Sequence, residues 1–278
     1  VGQQKRDEIS LWRDSQLHGG MEILQATCYE HSYPPHFHDE FVIAAFARGA
    51  QRTRVCRQNG IAAAGSVMII APGEVHTGEA VQRDEGWDYC AFYPGEKLIN
   101  EVAQTVLSGK GDVNFGLQGI RHDPLMARRM LHAASVMKQS PDPLEKECVM
   151  YQILNVLVGH YGERTVRGSR QSVLRADIRK ALAFLHSAYA QPLTVKEIAQ
   201  VAGLSEFYFM RTFQKMTGLS VHQYLTQIRL MRAKGLLARG IGAAQVASDI
   251  GFFDQSHLIK QFRAHFGTTP GMFAAASM

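Results

Sequence analysis

Three histidines have the residue type and spacing for chemistry. His36 and His38 stand one residue apart in "PPHFHDEF" (34–41), and His76 follows in "PGEVHTG" (72–78). Three imidazoles can hold a divalent cation and leave one coordination position open for water or a small molecule. Residues two apart on a strand share a face, so His36 and His38 would point the same way. Three readings stay open on these residues alone. The histidines hydrogen-bond within their own domain or line a pocket, they bind a metal, or they bind a metal that does catalysis. Nothing in the chain makes a cofactor obligatory.

Whatever their role, these histidines must be carried by strands. Residues 20–95 hold short apolar runs such as "FVIAAF" (41–46) and "SVMIIAP" (66–72), bounded by Gly, Pro and Asn. Short strands at this spacing indicate an all-β barrel or sandwich. The Asn-Gly step in "RQNGIAAAG" (57–65) predicts a hairpin turn there. Later the period changes from two to 3.6. Asp123 is placed to cap a helix with Pro124 at its first position, and a second helix spans 143–161. The apolar surface of that second helix suits either the β domain or another copy of the chain. "GERTVRGSRQS" (162–172) has the composition of a linker.

The totals set limits. At 278 residues, two domains are expected. No apolar run approaches the ~20 residues that span a bilayer, and the N-terminus lacks the apolar core of a secretion signal. Cys28, Cys56, Cys90 and Cys148 form no CxxC pair, and scattered cysteines fit reduced thiols in the cytoplasm. Charge is uneven. Residues 171–278 carry 12 Lys and Arg against five Asp and Glu, whereas residues 1–170 carry 18 against 20. A basic C-terminal block points to a polyanion, most simply nucleic acid.

That block contains a repeat. "IAQVAGLSEFYFMRTFQKMTGLSVHQY" (198–224) matches "VASDIGFFDQSHLIKQFRAHFGTTPGMF" (246–273). Gly203 pairs with Gly251 at a shift of 48. After one inserted residue, Ser205 pairs with Asp254, Phe213 with Phe262 and Gly218 with Gly267 at a shift of 49. Each copy reads as helix, tight turn, helix. Thr194 and Glu197 form a capping box, Ser205 and Asp254 cap the second helices, and the two later glycines end them. Phe209, Phe213 and Met216 make one core stripe, and Leu258, Phe262 and Phe266 make the other. Between the copies, "VHQYLTQIRLMRAKGLLAR" (221–239) is a helical rod of about 27 Å at 1.5 Å per residue. Two recognition helices held that far apart suit two major-groove segments on one DNA face.

On these motifs, residues 175–278 resemble the DNA-binding domain of the AraC/XylS family of bacterial transcription regulators. The resemblance implies base contacts at Phe207, Met210 and Arg211, and at Gln255, Ser256, His257, Ile259 and Lys260. Gln214 and Arg263 lie on the same faces. Arg211 can fork onto guanine and Gln255 can pair with adenine. Phe207, Met210 and Ile259 can reach only thymine methyls, or else pack on neighbouring helices. Lys260 and Arg263 suit phosphate.

The histidine segments resemble the motifs of a cupin, the sensor fold of many members of this family. In a metal-binding cupin His36, His38 and His76 would converge. The usual glutamate four or five residues beyond the second histidine is replaced here by Val42 and Ile43, with Asp39 and Glu40 displaced along the strand. Trp87, Tyr89 and Tyr93 are available to wall a pocket, with Trp87 and Tyr89 expected to contact the effector alongside the histidines.

The expected architecture is α+β. Residues 1–162 form a cupin-like β-barrel that senses an effector, with a helical dimerisation segment at about 123–161. Residues 163–174 form a linker, and residues 175–278 form an all-α domain with two helix-turn-helix units. The expected function is sequence-specific DNA binding under control of a small molecule, with no enzyme activity. The partners are promoter DNA, an effector, a second copy of the chain, and RNA polymerase if the protein activates. The alternative is a metal-dependent cupin enzyme or a metal sensor with a helical appendage.

Overall fold

The computed structural model describes residues 6–18, 20–55, 58–108, 111–116, 119–165 and 175–277. Apart from the last two residues, the chain divides into two compact units, Val1–Arg167 and Gly168–Ala276. Residues 166–174 of the expected linker lie outside the described residues.

The first unit is built on a nine-stranded antiparallel sheet. Its main path runs β1 (Glu8–Asp14), β2 (Met21–Cys28), β8 (Trp87–Tyr93), β4 (Val42–Val55), β6 (Ser66–Ile70) and β10 (Ile120–His122). Strands β3 (Tyr33–His36), β5 (Gln58–Ala63) and β7 (His76–Ala80) lie off this path, with β5 and β7 pairing to β4 and β3 pairing to β7. The expected barrel is therefore an open, cupin-like sheet. The ends of the path, β1 and the three-residue β10, do not pair with each other, so the hydrogen-bond ladder does not close.

Strand β4 spans two layers. Residues 42–45 pair with β6, whereas 50–55 pair with β5. The switch falls at Gly49, next to the point where the pairing with β8 shifts register. Gly49 has φ +63°, and a Cβ there would lie 1.9 Å from the carbonyl oxygen of Gly86. Only glycine fits this crossing.

The apolar runs are continuous because the central strands are buried on both faces. One set, Ile23, Ile43, Ala45, Val67, Ile69, Cys90 and Phe92, packs on α1 (Glu96–Val106), α2 (Pro124–Gln139) and α3 (Pro143–Tyr161) through Ile99, Met126, Met130, Leu154 and Leu157. The alternate set includes Phe46, Trp87 and Tyr89, which stack together inside the sheet. Asp123 caps α2 by accepting from the Met126 N–H at 2.9 Å. Most of the apolar surface of α2 and α3 is spent within the unit, leaving Leu125, Leu144 and Tyr151 exposed.

Two local expectations are corrected. The Asn-Gly step is not the turn: Asn59 and Gly60 sit inside β5 opposite Arg54 and Thr53. Neither takes a positive φ; the pairing runs on to Val55 opposite Gln58, and residues 56–57 lie outside the described residues. The segment expected as linker also begins as a strand. β11 (Glu163–Thr165) pairs with β9 (Asp112–Asn114), with Arg164 opposite Val113 and donating to the Gly111 carbonyl at 2.5 Å. Strand pairing of this kind needs backbone partners and tolerates polar side chains.

The second unit is all helical: α4 (Ala176–Ala188), α5 (Val195–Ala202), α6 (Glu206–Thr217), α7 (Val221–Leu237), α8 (Ala243–Asp249), α9 (Gln255–Phe266) and α10 (Pro270–Ser277). Pro270 begins α10, where a missing N–H costs nothing. The capping box at Thr194 and Glu197 is formed, as is a second at Ser220 and Gln223 that starts α7. Gly203 and Gly251 make the two turns at φ +69° and +81°, and Gly218 and Gly267 close α6 and α9 in the left-handed region. Asp254 accepts from the His257 N–H at 2.7 Å. Ser205 occupies the matching position, but its side chain makes no cap hydrogen bond.

Candidate effector site and nucleic-acid interface

The strands bring the three histidines together. β3 and β7 place His36 directly opposite His76. His38 lies just past the end of β3 rather than within a strand, and its carbonyl accepts from the Gly73 N–H at 2.7 Å. All three side chains are buried, and each offers a nitrogen within 4.8 Å of the others. Ring centroids stand 4.1 Å apart for His36 and His76, 5.1 Å for His36 and His38, and 5.3 Å for His38 and His76.

Two of the rings have a determined tautomer. Nδ1 of His36 lies 2.7 Å from the Pro34 carbonyl, and Nδ1 of His76 lies 2.9 Å from the Glu74 carbonyl. A carbonyl only accepts, so each Nδ1 carries the proton and each lone pair resides on Nε2. Burial pushes the His76 imidazolium pKa down to about 4, against a smaller upward pull from the Glu74 carbonyl. His76 is therefore neutral at physiological pH.

An aromatic wall continues from the trio. Tyr33 stands 6.0 Å from His36 and 6.4 Å from Tyr89, and Tyr89 stands 6.2 Å from Trp87. Trp87 and Tyr89 thus join the histidines through Tyr33, which sequence reasoning missed. Tyr93, expected beside Trp87 and Tyr89 as a wall residue, has its ring 4.9 Å from His38. Tyr93 in turn borders a cleft of about 470 Å3 with Arg13, Glu22, Glu40, Lys97 and Glu101. His36, His38, His76, Trp87 and Tyr89, the residues expected to contact effector, do not line that cleft.

In the second unit, packing separates a core stripe from an outer face on each second helix of the repeat. Phe209 and Phe213 are buried on α6, and Leu258, Phe262 and Phe266 are buried on α9. Met216 is only half-buried. Phe207, Met210, Arg211 and Gln214 are exposed on α6, as are Gln255, Ser256, Lys260 and Arg263 on α9. At 74% exposure, Phe207 does not serve the core. His257 and Ile259 are half-buried, and the His257 ring packs edge-on against Phe252 at 5.0 Å. Phe253, at 93% exposure, is the most exposed large apolar residue among those described and was not predicted. Its signal was the change of repeat shift from 48 to 49, because the inserted residue falls in this turn.

A doubled helix-turn-helix with exposed second helices, in one chain with a sensor-type sheet that holds a buried polar cluster, has the make-up of a ligand-responsive DNA-binding regulator. Comparison with known proteins specifies the family. A model described as "AraC-like ligand binding domain" matches residues 18–154, and one described as "Helix-turn-helix domain" matches residues 198–276. The HTH-type transcriptional regulator YbfI of Bacillus subtilis is 27% identical over 90% of this chain and 89% of its own. The Msm operon regulatory protein of Streptococcus mutans is 24% identical over 87% of each chain. In fold, the chain resembles a lysine-to-alanine variant of apo ToxT from Vibrio cholerae, with TM-score 0.57, 12% identity and 99% of each chain covered. Unsaturated fatty acid bound wild-type ToxT gives TM-score 0.56 at 13% identity, over 90% of this chain and 92% of that one.

The chain belongs to the AraC/XylS family of transcription regulators. Its N-terminal domain is a ligand-binding domain and its C-terminal domain binds DNA. These relatives also decide against the cupin-enzyme alternative, because they are regulators rather than enzymes. No helix among the described residues is long and apolar enough to cross a membrane.

Proposed function

We propose that this regulator reads promoter DNA through the outer faces of α6 and α9, and that an effector held by the sheet controls the outcome. The proposed DNA contacts are Phe207, Met210, Arg211, Gln214, Gln255, Ser256, Lys260 and Arg263, with His257 and Ile259 as partial contributors. The observation that carries this reading is the pair of second helices whose core stripes are buried while their apolar and basic outer residues stay exposed. Groove entry by such helices explains exposed Phe207 and Met210, which would otherwise be costly on a surface.

The effector contacts proposed are His36, His38, His76, Trp87 and Tyr89, joined by Tyr33 and Tyr93. A ligand shifts such a protein only by binding one arrangement better than another. The protein works in the cytoplasm as a homodimer. What the sheet leaves uncovered on α2 and α3, at Leu125, Leu144 and Tyr151, is the surface for a second copy. RNA polymerase is a further partner if the promoter is activated. Salt titration of operator binding tests the DNA reading. A steep negative slope of log affinity against log salt is expected, falling by about 0.9 per phosphate neutralised; a flat slope refutes it.

A further inference from the structure

We propose that His36, His38 and His76 bind one divalent transition-metal ion inside the sensor sheet, in the zinc class that imidazole favours. The inference deepens the sensor reading given above and rests on it. The donor set fits. The Nδ1 protons of His36 and His76 are held by the carbonyls of Pro34 and Glu74, which turns both rings into Nε2 donors of determined tautomer. Metal-ligating histidines commonly show this outer hydrogen bond, because it orients the ring and raises its basicity.

Neutral imidazole is the form that coordinates. The group contains no thiolate and no carboxylate, which selects borderline metals over calcium or magnesium. Zinc–nitrogen bonds of about 2.0–2.1 Å at tetrahedral angles put ligand nitrogens ~3.3 Å apart. The trio, within 4.8 Å, reaches that by small side-chain rotations. Three protein ligands leave a position open on the metal. Val42, at the place of the usual fourth ligand, belongs to β4 and supplies no donor. The open position would be available to an oxygen or nitrogen of the effector, and the rings of Tyr33 and Tyr93 flank the trio at His36 and His38.

The test uses full-length protein stripped with a chelator and titrated with zinc chloride by calorimetry. Wild type should take up one equivalent. His36→Ala and His76→Ala should each weaken binding by at least a hundredfold, while His132→Ala, at an exposed position, leaves it unchanged. His76→Gln keeps the approximate shape of the side chain and guards against misfolding. Zinc should raise the melting temperature of wild type but not of His76→Gln. Uptake below a tenth of an equivalent overturns the proposal, as does uptake that survives the His36 and His76 substitutions. Operator affinity is measured on the same samples. Protein that takes up no zinc yet binds DNA with steep salt dependence removes the metal site and leaves the regulator reading standing.

Discussion

Arg211 and Arg263 are both exposed arginines on second helices of the repeat, yet they should behave differently. α6 begins at Glu206, so Arg211 lies five residues along it, about 7.5 Å at 1.5 Å per residue. α9 begins at Gln255, so Arg263 lies eight residues along, about 12 Å. The major groove is roughly 8.5 Å deep, and recognition helices enter it by their N-terminal ends. On that geometry Arg211 is expected to reach base edges and Arg263 the phosphates at the groove's lip. A bidentate arginine–guanine pair discriminates by about 1–3 kcal/mol, so Arg211→Ala should cost roughly 5- to 150-fold on the preferred operator and much less on scrambled DNA. Arg263→Ala should weaken both DNAs by a similar factor and make the salt slope shallower by about 0.9. Fluorescence anisotropy with operator fragments selected from the source genome, at several salt concentrations, measures both quantities. If Arg211→Ala lowers affinity for operator and scrambled DNA equally, the docking face assigned to α6 is wrong.

The sensor unit provides three further expectations. Gly49→Ala should abolish stable folding, because its Cβ would meet the Gly86 oxygen at 1.9 Å, whereas Gly73→Ala, with open space and φ +72°, should cost only about 1–2 kcal/mol of left-handed strain in thermal melts. The phenol of Tyr161, with help from the Met126 N–H, holds the Asp123 carboxyl below its ordinary 3.8. The stability this contributes is present above 3.8 and is lost as pH falls through the folded value. Asp123→Asn keeps a capping oxygen but loses the charge, so the gap in melting temperature between wild type and variant should be full at about pH 6 and shrink below about pH 4. Burial pushes the Cys28 and Cys90 thiols up to about 12, while Cys148 is exposed. At about pH 8, alkylation followed by peptide mapping should therefore find Cys148 modified well before either buried thiol.

The helical half of the chain was the more legible. Its caps, turn glycines and core stripes are local features with a short period, and doubling made each copy a check on the other. Ser205 shows the limit there: it holds the cap position with an extended backbone like that of Ser220, yet its side chain makes no capping bond. In the sensor unit the histidine trio was readable from two motifs, but its meeting depends on β3 pairing with β7 across about forty residues. No local rule states that register. The open sheet and the strand at 163–165 were hidden for the same reason, because pairing partners are non-local. Asn59-Gly60 misled because a turn-forming dipeptide is equally tolerated within a twisted hairpin arm when the pairing register demands it. Tyr33 was missed because a tyrosine beside apolar residues reads as core until its neighbours are known.

Strand β4 carries one consequence beyond architecture. Its far end, at Val55, is paired with His76, and its near end places Ile43 and Ala45 against the helices. A single fourteen-residue ribbon is thus anchored at one extremity to the imidazole nest and at the other to the methionine-rich bed of α2. A ligand that drew the nest together would load that ribbon at one end, and its packing on α2 is where the load would arrive.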